Sequence, residues 1–575
     1  MSALLSLSEV SLSLDAKPLF ADLSLVVNSG DRIGLVGHNG SGKSSLLALM
    51  AGAYEPDAGR RQVRRHLVIG RVEQFVPAEL LPVSLRAAAE AAIPAARRLE
   101  EAFRAEAELH KLGFSLEQLE QSVESLSGGQ QNLLLLARAI LIEPDVLLLD
   151  EPGNHLDILS LTLLRHWLQA QTLPWVMVSH DRYLLNSLCT QTWFLRDQRL
   201  YCFDLPFDAA RQALADADEQ ARVRRAQEEK EVARLQASAK RLAHWGHTYD
   251  NEDLSRKAKS MEKRVERLKS DLTFVSQGSG LALALPEEGL SARQVVVLEE
   301  AQIALPGDGS RSIYGEFLNA RPGDRIALLG VNGVGKSTTL KRLIVALETD
   351  IGDIRWNPRV QLGYYDQLLS SMDIKQGRFD WLRERLEGPD ETIKQTLLNA
   401  GVPYDRFDQP VNTLSGGEKA RLMFAYFRLQ RPNVLMLDEP TNHLDLDGRD
   451  ELIESLCGSE LTVFMTSHDR AFLDAVATRW WWIHDGQLSE VDGPEPFYRL
   501  LEAGSSTEPV AASSSAGSSQ SVSIDEVDDD ALLARLAWLE QQLHDDQARK
   551  PKHQKPEKQA QWQAEIEALT GKLGL

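Results

Sequence analysis

Two glycine-rich segments carry the residue types best suited to holding phosphate. Residues 37–44 read Gly-His-Asn-Gly-Ser-Gly-Lys-Ser and residues 330–337 read Gly-Val-Asn-Gly-Val-Gly-Lys-Ser, each between a short apolar run and an apolar helical pattern. In such a loop, glycines let backbone amides converge on phosphate oxygens, the lysine reaches the β and γ phosphates, and the serine hydroxyl ligates Mg²⁺. The nucleotide-binding candidates are Gly37, Asn39, Gly40, Gly42, Lys43, Ser44, Ser45, Gly330, Asn332, Gly333, Gly335, Lys336, Ser337 and Thr338. One such segment can arise by chance, whereas two in register predict two nucleotide sites.

Acidic residues end two apolar runs further along the chain. Asp150 and Glu151 follow Val-Leu-Leu-Leu, and Asp438 and Glu439 follow Val-Leu-Met-Leu. Apolar runs bounded by charge are typical of parallel strands covered on both faces. We predict that the two aspartates hold Mg²⁺ through its water shell and that the two glutamates orient or deprotonate the attacking water. A strand that simply ends in solvated acids is the alternative, and the upstream phosphate loops make it the weaker one.

Histidine and glutamine residues complete the candidate chemistry. His180 and His468 each end an apolar run 29 residues after the predicted catalytic glutamate, and this equal spacing favours a γ-phosphate contact over a structural role. Gln74 and Gln367 follow apolar segments after the two loops and are candidate ligands of Mg²⁺ or of the water, although glutamines are usually solvated. The predicted Mg²⁺ ligands are Ser44, Gln74, Asp150, Ser337, Gln367 and Asp438.

The same motifs occur twice in the same order. The two loop lysines are 293 residues apart, and a Leu-Ser-Gly-Gly motif starts at residue 126 and again at residue 414, 288 residues later. The acidic strand ends and a Ser-His-Asp-Arg motif repeat at that same spacing of 288 residues. Two copies of one α/β domain therefore account for most of the chain.

This order of motifs resembles the ATP-binding cassette proteins over about 400 of the 575 residues. In that family the Leu-Ser-Gly-Gly signature motif of one cassette closes over the nucleotide held by the other, so the resemblance implies ATP and Mg²⁺ as cofactors and two composite sites. It adds Ser415, Gly416 and Gly417 to the first site, which contains Lys43, and Ser127, Gly128 and Gly129 to the second site, which contains Lys336. ATP then holds the cassettes together, and its hydrolysis releases them.

Composition divides the chain into five parts. We predict a first P-loop ATP-binding cassette at 1–205, an α-helical hairpin linker at 206–285 and a second cassette at 286–503. A flexible Ser/Gly-rich and acidic linker follows at 504–530, and leucines at helical spacing predict a C-terminal helical hairpin or coiled coil at 531–575. The predicted fold class is thus α/β with helical additions.

The linker and the twin cassettes together resemble the ABC-F family. The resemblance rests on two fused cassettes, a charged helical linker and Asn-His-Leu-Asp at 154–157 and 442–445. It implies a protein that binds the ribosomal exit site, with linker helices directed at the peptidyl-tRNA, as a translation factor or an antibiotic-resistance protein. Residues 221–271 hold fourteen Lys or Arg against nine Asp or Glu, so this part of an acidic chain is suited to rRNA.

Overall composition excludes several other classes of protein. A net charge of −21 argues against binding nucleic acid over the whole surface, and three widely spaced cysteines suggest neither disulfides nor zinc. Neither a signal peptide nor an apolar run long enough for a membrane span is visible, so we expect a cytoplasmic protein without membrane insertion. The expected oligomeric state is a monomer whose two cassettes pair within the chain.

Two alternative functions remain open at this point. The basic loop 549–558 of the tail could touch rRNA or DNA, which would suit a DNA-associated ATPase acting through the C-terminal hairpin, although a solubilising loop is equally compatible. An ATPase subunit of a membrane transporter ranks last because it has no need of a basic linker.

Three departures from the family pattern also matter. Gly153 stands where the second copy has Thr441, which is expected to make the two sites unequal. Leu14 occupies the usual adenine-stacking position, and the first copy has no room for the long arm of some members.

Overall fold

The computed structural model describes most of residues 2–505. Within that range it leaves out 15–16, 73–75, 155, 249–251, 271–284, 287–288, 307–310, 350–351, 368, 370–371, 373–374, 387 and 443. The candidate Gln74 and the predicted C-terminal hairpin therefore lie outside the described residues.

The first domain contains two sheets and the helices that cover them. Its strands are β1 (Ala3–Leu14), β2 (Lys17–Asn28), β3 (Arg32–Val36), β4 (Ala58–Val63), β5 (Ile69–Val72), β6 (Val146–Asp150), β7 (Trp175–Val178), β8 (Gln191–Arg196) and β9 (Arg199–Phe203). Its helices are α1 (Lys43–Ala51), α2 (Leu85–Glu90), α3 (Arg98–Lys111), α4 (Leu116–Leu119), α5 (Gly128–Leu141), α6 (Ile158–Ala170) and α7 (Arg182–Leu188). The order β2-β1-β4 forms an antiparallel sheet, and β5-β6-β7-β3-β8-β9 forms a mainly parallel one. Every residue of β6 and β7 is buried, as expected for central parallel strands.

Two long helices follow the first domain. Helix α8 spans Phe207–Thr248 and helix α9 spans Glu252–Ser270, and the two pack against each other. The start of α8 is anchored because Phe207 and Ala210 are buried in the apolar core of the first domain. The linker is thus helical, as the sequence predicted, and its base is anchored in the core of the first domain.

The second domain repeats the first with one difference in its sheets. Its strands are β10 (Val296–Ala304), β11 (Ser312–Ala320), β12 (Arg325–Leu329), β13 (Ile354–Trp356), β14 (Leu362–Tyr365), β15 (Val434–Asp438), β16 (Thr462–Thr466), β17 (Arg479–His484) and β18 (Gln487–Val491). Its helices are α10 (Lys336–Thr349), α11 (Arg378–Arg385), α12 (Asp390–Asn399), α13 (Gly416–Gln430), α14 (Leu446–Cys457), α15 (Arg470–Val476) and α16 (Glu495–Ser505). A pairing of β11 with β18 joins both layers into one nine-stranded sheet, β13-β10-β11-β18-β17-β12-β16-β15-β14. The predicted α/β class with two phosphate-loop domains is confirmed.

The two domains exchange apolar side chains where they meet. Leu446 of the second domain is buried in the core of the first, and Ile158 of the first domain is buried in the core of the second. These residues are 288 positions apart and each opens the helix that follows the acidic strand end. The contact is therefore reciprocal, which is the arrangement that a pair of related domains facing each other produces.

Among the described helices, none combines the length and the apolar character that crossing a membrane requires.

The core of the second domain supplies a test of its packing. Phe464 on β16 is fully buried between Trp356 and Trp481, with ring centroids 6.1 and 5.6 Å away. Phe464→Ala should lower the free energy of unfolding by about 3–5 kcal/mol, since it removes a large ring and leaves a cavity. The matched control is Phe317→Ala on β11, where the ring is 57% exposed and the cost should stay below about 1 kcal/mol. Urea unfolding followed by tryptophan fluorescence measures both, and equal losses would contradict this packing.

Candidate active sites at the domain interface

Each phosphate loop joins a buried strand to a helix and folds around its lysine. Lys43 Nζ donates to the carbonyl oxygens of Gly37 at 2.7 Å and His38 at 3.0 Å, and Lys336 Nζ donates to Gly330 O at 2.9 Å. Burial lowers the pKa of both lysines. These ammonium groups therefore lie inside the loops at the start of α1 and α10, where the helix N-terminus also favours an anion.

The loop geometry depends on glycine at the last position before each lysine. Gly42 has φ 95° and Gly335 has φ 110°, backbone conformations that a side chain would strain. At Gly335 a Cβ atom would also approach Leu305 Cδ2 to 2.4 Å. Of the remaining predicted residues, Gly37, Asn39, Gly40, Gly330, Asn332 and Gly333 lie in the loops, whereas Ser44, Ser45, Ser337 and Thr338 lie in the first turns of α1 and α10.

A serine hydroxyl and an aspartate meet in both sites. Ser337 Oγ donates to Asp438 Oδ1 at 3.0 Å, and Thr466 Oγ1 donates to the same oxygen at 2.7 Å. In the first site, burial raises the pKa of Asp150, while a hydrogen bond with Ser44 acts in the opposite direction. Hydroxyl and carboxylate oxygens are the hard ligands that Mg²⁺ takes in nucleotide sites, so both sets of residues fit that ion.

The predicted catalytic glutamates lie beside the predicted histidines. Glu151 Oε1 is 3.5 Å from His180 Nε2, and Glu439 Oε1 is 3.4 Å from His468 Nε2. The His468 amide also donates to Glu439 Oε2 at 3.1 Å. Both glutamates have positive φ, 49° and 53°, which costs energy for a residue with a side chain and is typical of functional positions.

The two glutamates nevertheless differ in their environment. The Glu439 side chain is 5% exposed, and burial raises its pKa to about 7. The Glu151 side chain is 24% exposed. Burial acts to raise its pKa, but the hydrogen bond and charge of His180 and the charges of Lys43 and Arg449 outweigh burial and lower it.

The two sites also differ at Gly153, whose counterpart in the second site is Thr441. Thr441 Oγ1 hydrogen-bonds Ser467 Oγ at 2.9 Å in the buried turn after Glu439. Gly153 has no hydroxyl to form this bond with Ser179. A Cβ at Gly153 would lie 2.9 Å from a Leu161 methyl, so a threonine there would require the end of the Leu161 side chain to shift.

An aspartate after each acidic strand end faces the opposite phosphate loop. Asp445 Oδ2 accepts a hydrogen bond from the Asn39 amide at 3.2 Å and lies 3.6 Å from His38 Nδ1, although both partners belong to the first domain. In the second site, burial lowers the pKa of Lys336, and the charge of Asp157 from the first domain partly opposes this effect. The first nucleotide loop therefore receives a direct contact from the other domain, and the second loop lies within the electrostatic influence of the other domain.

Sequence reasoning had not assigned a role to these aspartates or to His38. Asp445 and Asp157 are the last residues of the repeated Asn-His-Leu-Asp segments and cap the helices that follow them. His38 occurs only in the first loop, because Val331 takes its place in the second. The difference between His38 and Val331 and the repetition of the aspartate were the features of the sequence that could have identified these residues.

The signature motifs sit at the starts of long helices. Ser127 caps α5 with Gln130, and Ser415 caps α13 with Glu418. Both serines are exposed and cap their helices, Gly128 is exposed, Gly416 and Gly417 are half-buried, and Gly129 is buried. A helix N-terminus of this kind favours an anion. Gln367 is exposed in the turn after β14. The γ-phosphate contacts of the signature motifs and the role of Gln367 stay predictions.

Comparison with known proteins agrees with this geometry. A family model described as ABC transporter matches residues 20–154 and 317–442. The ATP-binding protein Uup of Caulobacter vibrioides is 32% identical over 496 residues, which cover 82% of this chain and 76% of Uup. The "probable ATP-binding protein YbiT" of Escherichia coli O157:H7 is 30% identical over 508 residues, covering 82% of this chain and 94% of YbiT. The chain belongs to the ABC-F family.

Two further similarities concern one relative and one solved structure. Protein GCN20 of Saccharomyces cerevisiae is 33% identical over 400 residues, covering 69% of this chain and 52% of that protein. The archaeal ribosome recycling factor aABCE1, solved with the archaeal ribosomal stalk protein aP1, shares the fold with a TM-score of 0.56 at 18% identity, covering 86% of this chain and 92% of that one. As a twin-cassette member of the family, the ABC-F chain binds ATP and is an ATP hydrolase.

The His38 contact should make domain closure depend on pH. Asp445, 3.6 Å away, and Asp447, 3.4 Å away, together raise the pKa of His38 against the effect of burial. A raised pKa means that the protonated pair stabilises the closed form fully below about pH 6.5 and that this contribution is lost as pH rises through the raised value. The closure equilibrium should therefore weaken by about two- to fivefold between pH 6 and pH 8, the range of a partly exposed ion pair.

His38→Val, which copies the second loop, should remove this part of the pH dependence. Energy transfer between fluorophores on the two domains measures the closed fraction under ATP, and Val331→Ala in the other loop is the matched control. A pH profile of His38→Val that superimposes on that of the natural protein would contradict the assignment.

Proposed function

We propose that this ABC-F ATPase acts on the ribosome in the cytoplasm, using two ATP molecules to close its domains and its helical linker to contact rRNA. The proposal rests on one observation above the others, which is that the linker base is bound to both domains. Arg211 on α8 pairs with Asp450 and lies 3.6 Å from Asp447, and both aspartates belong to the second domain. Helix α8 also starts in the core of the first domain. Closing of the interface should therefore move the base of this helix.

The exposed surface of α9 supports RNA as the partner. Helix α9 carries basic side chains on its exposed side, while the side chain of Val265 is buried. The exposed basic residues are Arg256, Lys257, Lys259, Lys263, Arg264 and Arg267. On a protein that is acidic overall, a basic helix concentrates the electrostatic attraction for phosphate groups at one surface. Peptidyl-tRNA and rRNA are both phosphate-rich partners of this kind.

At each site we assign the residues as follows. Lys43 and Lys336 bind the β and γ phosphates, and Glu151 and Glu439 orient or deprotonate the attacking water. Ser44 with Asp150, and Ser337 with Asp438, would hold Mg²⁺, which neutralises phosphate charge when bound.

The histidines and the serines of the signature motifs complete each site. His180 and His468 contact the γ-phosphate. Ser415 and Ser127 close the two pockets from the opposite domain, so that ATP bridges the interface until it is hydrolysed.

The double variant Glu151→Gln with Glu439→Gln tests ribosome action directly. It should bind ATP without turnover and stay closed, so it should co-sediment with purified ribosomes in ATP but not in ADP. The same variant carrying Lys43→Ala and Lys336→Ala is the control for nucleotide binding. Absence of ATP-dependent co-sedimentation would refute the proposal.

Deletion of residues 504–575 separates the ribosome hypothesis from the alternative of a DNA-associated ATPase. If the deletion abolishes nucleic-acid binding, the result favours a DNA-associated ATPase, whereas a ribosome factor should largely retain binding.

Charge reversal on α9 tests the linker separately. Lys263→Glu with Arg264→Glu should weaken ribosome binding at least about tenfold and flatten its salt dependence, because phosphate contacts are lost. ATP turnover without ribosomes should not change. The matched control reverses Arg60 and Arg65, two exposed arginines of the first domain. Equal effects of the two double reversals would show that only net charge matters and would contradict a specific role of α9.

A further inference from the structure

One arginine joins the histidine segments of both sites. Arg449 lies on α14 of the second domain, and its Nη1 donates to the carbonyl oxygen of His180 in the first domain at 2.7 Å and to Asp469 Oδ2 of its own domain at 2.8 Å. Its Nε donates to Leu444 O at 3.2 Å, which fixes the plane of the guanidinium. The side chain is 15% exposed, so these bonds are formed away from bulk water.

The charges around this arginine explain why a cation is needed there. Asp181 follows His180, and Asp469 is its counterpart in the second domain, 288 residues later. The two carboxylates act on each other across the interface, and burial together with this repulsion raises the pKa of Asp181 to about 6. Arg449 acts in the opposite direction on Asp181. Bringing the domains together therefore brings two like charges together, and Arg449 compensates for them.

The first domain has no arginine at the corresponding position. The position 288 residues before Arg449 is Leu161, whose side chain cannot donate a hydrogen bond to the backbone of His468. His468 is instead tied to its own domain, because its amide donates to Glu439. The peptide of His180 is thus held by the opposite domain, and that of His468 by its own.

We propose that Arg449 is a positioning residue that fixes His180 only when the domains close, so that hydrolysis at the first site requires closure more strictly than hydrolysis at the second. This inference rests on the proposed role of His180 at the γ-phosphate. It makes the two sites functionally different, since the recorded bond to the His468 peptide comes from Glu439 of its own domain. It concerns hydrolysis alone and does not depend on the ribosome.

Single-turnover hydrolysis resolves the two sites. In a Glu439→Gln background only the first site turns over, and in a Glu151→Gln background only the second does. Arg449→Leu, which copies Leu161, should slow the first site at least about tenfold and the second by less than about twofold, with little change in ATP affinity. Arg449→Lys keeps the charge and one donor, so it should restore part of the rate at the first site.

The controls separate positioning from folding. Arg383→Leu removes an exposed arginine whose partners, Asp390 and Gly388, lie in its own domain, and it should change neither rate. Equal slowing of both sites by Arg449→Leu would assign Arg449 a general role in closure and overturn the proposal, as would an unchanged rate at the first site. Because no ribosome is present in the assay, neither outcome bears on ribosome binding.

Discussion

The structure depends on the interface between the two domains, where an aspartate of each domain acts on the phosphate loop of the other, an arrangement called reciprocal completion below. Asp445 accepts a hydrogen bond from the Asn39 amide, and the charge of Asp157 acts on Lys336, so the surroundings of each loop include a residue of the other domain. The apolar residues beside these aspartates, Leu446 and Ile158, are buried in the opposite cores. Polar interactions at each site and apolar burial at the interface therefore lie side by side.

This arrangement is consistent with the proposed closure of the domains on ATP. A nucleotide at either loop would add negative charge where both domains contribute to the surroundings and where burial lowers the pKa of the loop lysine. The helix α8 transmits the result, since Arg211 ties its base to the second domain while Phe207 is buried in the first. The linker is thus positioned to report the state of the interface.

The motifs revealed the parts of each site but not their mutual arrangement. Lys43, Glu151 and His180 were predictable because phosphate loops, acidic strand ends and their spacing follow from chemistry that acts within one domain. The contacts of Asp445 and Arg449 were not predictable, because they depend on how two folded domains dock. The fold class followed from apolar strand patterns, whereas the joining of two sheets in the second domain depends on the β11–β18 pairing, which has no sequence signal.

The measurement that tests reciprocal completion most directly is the distance between the domains as a function of nucleotide. Cys202 in the first domain and Cys457 in the second are exposed, and Cys189 is buried, so spin labels can be attached to one native cysteine in each domain. Reciprocal completion predicts that ATP narrows the distance distribution to a single short value in the Glu151→Gln, Glu439→Gln protein, and that adding Asp445→Ala or Asp157→Ala broadens it again. A distribution that ATP leaves unchanged, or that neither aspartate affects, would contradict it.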